Sequence, residues 1–380
     1  MNEEAVSEAL RKSQAADDER FMAGAIALSR RWIGLTSPNP AVGALVVRDG
    51  VIVGRGATRP GGRPHAETEA LFDAGEAARG ATLYVTLEPC SHFGVTPPCA
   101  LAIARAGIAR VVSALEDPDP RVTGRGHQIL RDAGLEVTIG VGAEAARRAN
   151  LGHILRVSAG RPMVTLKLAE TADGYAAGGE HDPRLMITCL AANNRVQMMR
   201  AVHDSIMVGI GTALADNPLM TVRLPGLEDR RPLRIVLDTH LRLPLRSRLV
   251  AIARDYPVLV VAGSQASLEA QKALEGSGVT VTRCALSGGS LDLADVLRML
   301  AGRGLTRVFS EGGPTIAGQL LKAGFADEVA MITSPKPFAR PGVLALSNEA
   351  RQILADDSRY RQLADIAAGV DRLRRGERVF

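Results

Sequence analysis

The sequence predicts an α/β protein of two domains, and three observations carry that expectation. The chain has 380 residues, beyond the roughly 250–300 at which a single core stops growing. Short apolar runs alternate with helical patterns through both halves, the pattern of sheets covered on both faces. Gly160-Arg161-Pro162 then interrupts a helical stretch just before a new apolar run, a combination of breakers that marks a connection. The boundary is placed there, giving domains at 1–158 and 159–380.

In the first half, apolar residues at helical spacing (Phe21, Ala25, Leu28, Trp32) predict a helix over Asp17 to Trp32. Ala44 to Val47 and Val51 to Val53 flank Asp49-Gly50, the signature of a hairpin. Helices follow at about Ala66 to Ala78, Cys99 to Ala106, Gly126 to Ala133 and Ala143 to Ser158, with strands at Thr82 to Leu87, Arg110 to Ala114 and Leu135 to Ile139. The second half places strands at Val164 to Leu168, Ser205 to Val208, Leu233 to Leu237, Val258 to Val261, Val279 to Thr282, Arg307 to Phe309 and Glu328 to Ile332. The C-terminal Asp371 to Phe380 reads only as a charged tail.

Composition narrows the function. Hydrophobic residues make up 46% and charged residues 23%, enough for sizeable cores. No run of about 18 apolar residues occurs, and the polar, acidic start lacks the form of a signal or transit peptide. Four cysteines, two of them close together, do not make a disulfide framework. The expectation is a cytoplasmic enzyme with no membrane partner. The net charge of +5 comes from arginines dispersed without a basic block, and aromatics at 3% leave few platforms for stacked bases. A small phosphorylated ligand fits this chain better than nucleic acid.

The strongest chemical signal is His65-Ala66-Glu67, then Pro89-Cys90, then Cys99. One imidazole and two thiolates make three metal ligands, and no fourth of that kind is obvious nearby. Catalytic zinc keeps such an open position for water, whereas structural zinc takes four protein ligands. Glu67 can carry a proton from water to a leaving amine. His-x-Glu with Pro-Cys-x-x-Cys marks zinc deaminases; here eight residues, Ser91 to Pro98, separate the cysteines. If His65 and Cys99 each open a helix, the positive helix ends help to hold the thiolates.

In the second half G-x-G-x-x-G is not spelled, since Gly209-Ile210-Gly211 is followed by Thr212-Ala213-Leu214. The strand Val308-Phe309 runs into Ser310-Glu311-Gly312-Gly313-Pro314-Thr315 and a helical pattern. This fits an anion cradle at a helix N-terminus and, equally, an ordinary glycine turn with Pro in the first helical turn.

Taken together, Thr36-Ser37-Pro38-Asn39-Pro40-Ala41-Val42-Gly43, His65-Ala66-Glu67, Leu87-Glu88-Pro89-Cys90-Ser91-His92-Phe93-Gly94 and Thr96-Pro97-Pro98-Cys99 resemble the bifunctional riboflavin-biosynthesis deaminase/reductase family, whose own form of the motif has the long intercysteine loop. The family's second-half motifs recur in order: Leu166-Lys167-Leu168 with Asp173-Gly174, Val208-Gly209 with Gly211-Thr212, Ala215-Asp216-Asn217-Pro218, Thr221-Val222-Arg223, Arg234 to Asp238, and Glu311-Gly312-Gly313-Pro314.

The resemblance implies a cytidine-deaminase-like three-layer domain followed by a dihydrofolate-reductase-like α/β domain. It implies zinc on His65, Cys90 and Cys99, with Glu67 shuttling the proton in deamination of diaminohydroxyphosphoribosylaminopyrimidine. Asn39 and His92 then line the pocket, although either fits a loop hydrogen-bonder as well. NADPH is implied at Ala169, Thr212, Asp216, Thr239 and the turn Gly313, Pro314, Thr315, Ile316, Ala317, Gly318 and Gln319. Substrate is implied at Arg200, Met220, Arg223 and Glu311, and a homo-oligomer, dimeric or larger, is expected.

Three departures stand out: Val95 where the family carries Lys or Arg, Asp119 where Asn is commoner, and Glu180-His181-Asp182-Pro183-Arg184-Leu185-Met186 where relatives read Glu-Ser-x-Trp. The rival readings are a nucleoside or RNA deaminase with a non-catalytic second domain, and a binding protein with structural zinc. The full Glu311-Gly312-Gly313 motif argues against the first, and Glu67 with the missing fourth ligand against the second.

Overall fold

Asp49 and Gly50 both take positive φ, 52° and 74°, which lets a two-residue turn close the first hairpin in the twist that strands favour. In the computed structural model, which describes residues 3–93, 97–120, 122–179 and 182–380, the chain divides into two compact units, Met1–Ala159 and Gly160–Phe380.

Unit 1 runs α1 (Glu3–Ser29), β1 (Gly43–Arg48), β2 (Val51–Ala57), α2 (Ala66–Ala74), β3 (Thr82–Val85), α3 (Cys99–Arg105), β4 (Arg110–Ser113), α4 (Arg125–Asp132), β5 (Glu136–Ile139) and α5 (Ala143–Ser158). The sheet order is β2-β1-β3-β4-β5, antiparallel for β2-β1-β3 and parallel for β3-β4-β5. Alternate side chains leave on opposite faces of a strand. Thus Ala44, Val46, Leu83, Val85 and Val111 meet α2, α3 and α4, while Leu45, Val47, Tyr84 and Val112 meet Phe21, Met22 and Ala25 of α1 and Ala146 of α5. The result is three layers.

Register decides where function can sit. Gly43 opens β1 opposite Ala57, the last residue of β2, and Ala44 faces Val85 at the end of β3. The segment before β1 and those after β2, β3 and β4 therefore emerge at one edge of the sheet.

Unit 2 contains β6 (Met163–Glu170), β7 (Tyr175–Ala177), α6 (Leu190–Ala201), β8 (Ser205–Gly209), α7 (Ile210–Asp216), β9 (Leu233–Leu237), α8 (Arg248–Ala251), β10 (Val258–Gly263), α9 (Leu268–Gly276), β11 (Thr280–Cys284), β12 (Leu286–Ser287), β13 (Ser290–Leu291), α10 (Leu293–Gly302), β14 (Arg307–Ser310), α11 (Pro314–Lys322), β15 (Glu328–Thr333), β16 (Val343–Leu344), α12 (Asn348–Ala355), β17 (Tyr360–Ala368) and β18 (Asp371–Arg378). The main sheet is ordered β11-β10-β9-β8-β14-β6-β15-β18-β17. Its first seven strands are parallel, and β18 and β17 are antiparallel. α10, α11 and α12 cover one face, and α6 to α9 the other.

The α/β class and the alternation of elements hold, with two corrections. The first helix begins at Glu3 rather than near Asp17, because its early residues are polar and carry no apolar stripe. The stretch from Asp371 is a strand rather than a charged tail. There Leu373 is buried in the core, and the arginines spoil the apolar pattern while pairing across the sheet, as in Arg375–Glu328 at 3.0 Å. Among the described residues no helix is long and apolar enough to cross a membrane.

The layers of unit 1 are pinned by a buried network. Arg110 of β4 donates to both oxygens of Asp18 on α1 at 2.8 and 2.7 Å, and the Tyr84 hydroxyl donates to the same carboxylate at 2.8 Å. Burial alone would raise the Asp18 pKa, but the hydrogen bonds from Arg110, Tyr84 and Gln14 outweigh it and hold the carboxyl below its ordinary value. A depressed folded pKa contributes stability that is present above the unfolded value of about 3.9 and lost as pH falls through the folded one. Asp18→Asn should cost about 1–3 kcal/mol at neutral pH, because it removes a charged hydrogen-bond acceptor and leaves the partly buried Arg110 with only the exposed Glu136 as counter-charge. Denaturation followed by the fluorescence of Trp32, the one tryptophan, should show the gap from wild type shrinking below about pH 4.

Candidate active sites

Two glycines of β2 set the first site. A Cβ on Gly56 would lie 1.9 Å from the Ala66 carbonyl, and one on Gly54 would lie 2.3 Å from that of Ala70, so α2 rests directly on the strand backbone. This seats the start of α2, with His65 as its N-cap and Glu67 in its first turn. Cys90 lies beyond β3, and Cys99 opens α3.

These segments bring His65 Nδ1, Cys90 Sγ and Cys99 Sγ within 4.8 Å of one another, the one such group of possible metal ligands among the described residues. His65 Nδ1 is 3.7 Å from Cys90 Sγ and 3.4 Å from Cys99 Sγ. A tetrahedral zinc with ordinary Zn–S and Zn–N bonds sets its ligands about 3.5–3.8 Å apart, so the three atoms fit that ion. Cys90 Sγ also accepts a hydrogen bond from the Cys99 backbone N–H at 3.2 Å.

The electrostatics suit a cation. The Cys90 thiol is held down to about 4, chiefly by its hydrogen bond with Cys99 and despite burial. Cys99 is pushed up by the same bond and by burial. The pair thus carries one proton, and a divalent cation between the sulfurs would displace it. Glu67 is almost fully buried, 4% exposed. Burial pushes its carboxyl up to about 7 against the pull of His65, a value suited to both taking and giving a proton.

Around this centre the other expected positions differ. Asn39 donates its side-chain N–H to the Gly62 carbonyl at 3.2 Å, bracing the loop that leads to His65 as a loop hydrogen-bonder does. His92 is exposed. Val95 lies outside the described residues. Glu88, not selected from sequence as a site residue, is buried and accepts hydrogen bonds from the loop after β4 and from the start of α4. Its signal was a carboxylate placed directly before Pro-Cys at a strand end.

In unit 2 most of the residues expected to bind cofactor and substrate lie at or after the C-terminal ends of parallel strands, whereas Arg200 lies in the last turn of α6. Ala169 is the penultimate residue of β6, Thr212 and Asp216 lie on α7 after β8, Thr239 follows β9, and Gly313 to Gln319 cap and begin α11 after β14. Carboxyl ends of strands at a switch in strand order are where open α/β sheets bind ligands, and β14 returns here between β8 and β6. The Gly313 N–H donates to Thr212 Oγ1 at 3.1 Å, joining two of these segments.

Glu311, just past β14, is gripped by Arg200 of α6, whose Nη2 donates to Oε2 at 2.8 Å. Arg200 Nη1 also donates to the Thr221 carbonyl at 3.0 Å. Burial would raise the Glu311 pKa, but Arg200, Lys167 and Arg223 together hold it below its ordinary value. Arg200 thereby orients the Glu311 carboxylate. Arg223 is exposed and gives only Nη1 to the protein, to Thr221, among the described residues. Met220 is buried, with φ 52°. Glu180 and His181 lie outside the described residues, while Arg184 stands 3.5 Å from Asp216.

Lys167 was missed as a site residue. It is half-buried on β6 near enough to feel the charges of Glu311 and Arg200, and burial holds its ammonium below the ordinary value despite Glu311. A lone cation within the apolar run Met163 to Ala169 was the signal.

Comparisons agree with this layout. The family model described as the cytidine and deoxycytidylate deaminase zinc-binding region matches residues 15–115, and that described as the RibD C-terminal domain matches 162–339. The riboflavin biosynthesis protein RibD of Aquifex aeolicus is 40% identical over 84% of this chain and 87% of its own. That of Escherichia coli is 39% identical over 84% and 88%. Among solved structures, Acinetobacter baumannii RibD superposes with a TM-score of 0.84 at 34% identity, covering 96% of this chain and 100% of that one. A diaminohydroxyphosphoribosylaminopyrimidine deaminase/5-amino-6-(5-phosphoribosylamino)uracil reductase from Thermotoga maritima gives 0.82 at 33%, with the same coverage. With both domain types present in order and similarity running through nearly its whole length, the chain belongs to the RibD family of riboflavin biosynthesis proteins.

Proposed function

We propose that the chain performs both reactions for which the Thermotoga relative is named, deamination in domain 1–158 and reduction in domain 159–380. The observation that carries this reading is the buried Glu67 carboxylate beside three converging metal-ligand atoms, with no fourth histidine, cysteine or carboxylate joining them among the described residues.

A zinc ion held by His65, Cys90 and Cys99 supplies Lewis acidity that lowers the pKa of a water to about 7. Glu67 takes a proton from the attacking water and returns it to the departing amino group, so that the pyrimidine gains a carbonyl oxygen and ammonia leaves. Asn39 keeps the loop before His65 in place, and His92, exposed at the mouth, is available to the substrate.

NADPH bound in the second domain would supply hydride to the sugar C1, while the bond from C1 to the ring oxygen opens and that oxygen takes a proton, so that ribosyl becomes ribityl. Thr212, Asp216, Ala169, Thr239 and the turn Gly313 to Gln319 hold that cofactor, with the α11 N-terminus favouring phosphate. Glu311, oriented by Arg200, accepts from substrate hydroxyl or amino groups. The free donors of Arg223 suit the ribose phosphate, and Met220 packs beside it. The substrate is a small phosphorylated pyrimidine rather than nucleic acid, and the enzyme works in the cytoplasm as a homo-oligomer.

The reading is tested by mixing zinc-loaded protein with the diaminopyrimidine ribosyl phosphate and NADPH, and following ammonia and NADPH together. Both should change in proportion; ammonia release without NADPH oxidation would limit the chain to deamination. Glu67→Gln should keep its zinc and slow ammonia release about 10²–10⁴-fold, leaving reduction of the already deaminated substrate unchanged. Arg223→Met should raise the KM of that reduction about 10-fold or more through loss of a charged hydrogen bond.

A further inference from the structure

Helix α4 starts without a cap of its own. Its N-cap position is Gly124, at φ +75°, and offers no side chain, yet the first N–H groups of a helix need acceptors. Glu88 provides them from a different part of the chain. Its Oε1 accepts from Gly126 N at 2.8 Å and His127 N at 3.4 Å, and its Oε2 from Gly124 N at 2.9 Å and Asp117 N at 3.0 Å. The side chain is 2% exposed, and the nearest cationic candidate, His127 Nδ1, is 3.8 Å away. Backbone N–H groups and the positive end of α4 thus take the place of a counter-ion.

A second observation concerns the same junction. A Cβ on Gly126 would come 1.9 Å from the Pro89 carbonyl and 3.2 Å from Glu88 Cγ, so the first turn of α4 lies in backbone contact with the peptide preceding Cys90. Only Pro89, with its fixed φ, separates the carboxylate-bearing residue from the cysteine. On its other side Cys90 is tied to α3, its Sγ accepting from Cys99 N at 3.2 Å and its carbonyl from Ala100 N at 3.2 Å.

We infer that Glu88 is a positioning residue of the metal centre: its buried carboxylate replaces the missing cap of α4 and locks the Pro89-Cys90 turn onto that helix, fixing where the Cys90 thiolate stands. The inference rests on the zinc deaminase reading above and adds to it a residue that touches neither metal nor substrate. Neutralising Glu88 removes the charge that matches four N–H donors and turns one acceptor into a donor facing them. Cys90 is then held only through α3.

The test uses the full chain loaded with zinc. Glu88→Gln keeps the side-chain shape, and Gly126→Ala disturbs the same junction without touching the carboxylate. Zinc release to a chromogenic chelator should be about 10–100-fold faster in both variants, the usual effect of losing a group that orients a metal ligand. Deaminase kcat should fall with KM unchanged, and reduction of the deaminated substrate should not change. Release at the wild-type rate from Glu88→Gln overturns the inference. So does loss of the cooperative Trp32 unfolding transition in both variants, which would reduce Glu88 to a folding role. If wild-type protein binds zinc but does not deaminate the pyrimidine, the functional reading fails, and the chelator comparison still decides the role of Glu88.

Discussion

The first unit depends on bringing three soft ligands from separate segments to one point with backbone precision. Strand register supplies the coarse placement, since antiparallel β1–β2 and parallel β3–β4 pairing send four loops to one edge. Close backbone approaches supply the fine placement. α2 rests on Gly54 and Gly56, and α4 meets Pro89 through Gly126. None of these contacts leaves room for a methyl group, so the ligand-bearing helix and turn can sit in one position only.

Unit 2 solves a different problem, that of keeping charge inside an apolar sheet edge. Glu311, Arg200 and Lys167 come from β14's end, α6 and β6, and breaking such a pair is costly because the remaining charge stays buried. The bidentate Arg200–Glu311 contact leaves the carboxylate with a fixed direction. Another cation, Arg234, is 0% exposed, and its Nη1 and Nη2 donate to the carbonyls of Leu219, Leu249, Ile252 and Tyr256, while its Nε has no partner among the described residues. It thereby fastens the segment that leads to Met220 and Arg223.

Much of this was legible in the sequence, because its signals are local. The Asp-Gly hairpin, the helix opened by Cys99 and the Gly-Gly-Pro turn before α11 follow from turn chemistry and period. The His-x-Glu and Pro-Cys spacing announced a metal because those donor types at that order have few other uses. What was not legible depends on distant partners. β18 carries four arginines, Arg372, Arg374, Arg375 and Arg378, so its apolar pattern is weak and its pairing with β15 supplies its stability. Glu88 reads as an ordinary loop carboxylate until α4, nearly forty residues later, is seen to lack a cap. The sequence marks Arg200 and Asn39 as substrate positions but does not announce the bonds that Arg200 makes to Glu311 and Asn39 makes to the Gly62 carbonyl.

The proposed zinc centre of unit 1 is open, with His65, Cys90 and Cys99 as its protein ligands and Glu67 beside rather than on the metal. X-ray absorption at the zinc edge of the loaded protein measures this directly. An open centre gives two sulfur neighbours at about 2.3 Å and two lighter atoms at about 2.0 Å, one of the latter persisting and the other exchanging when a competing anion is added. A shell of four protein ligands unchanged by added anion would contradict it and make the site structural.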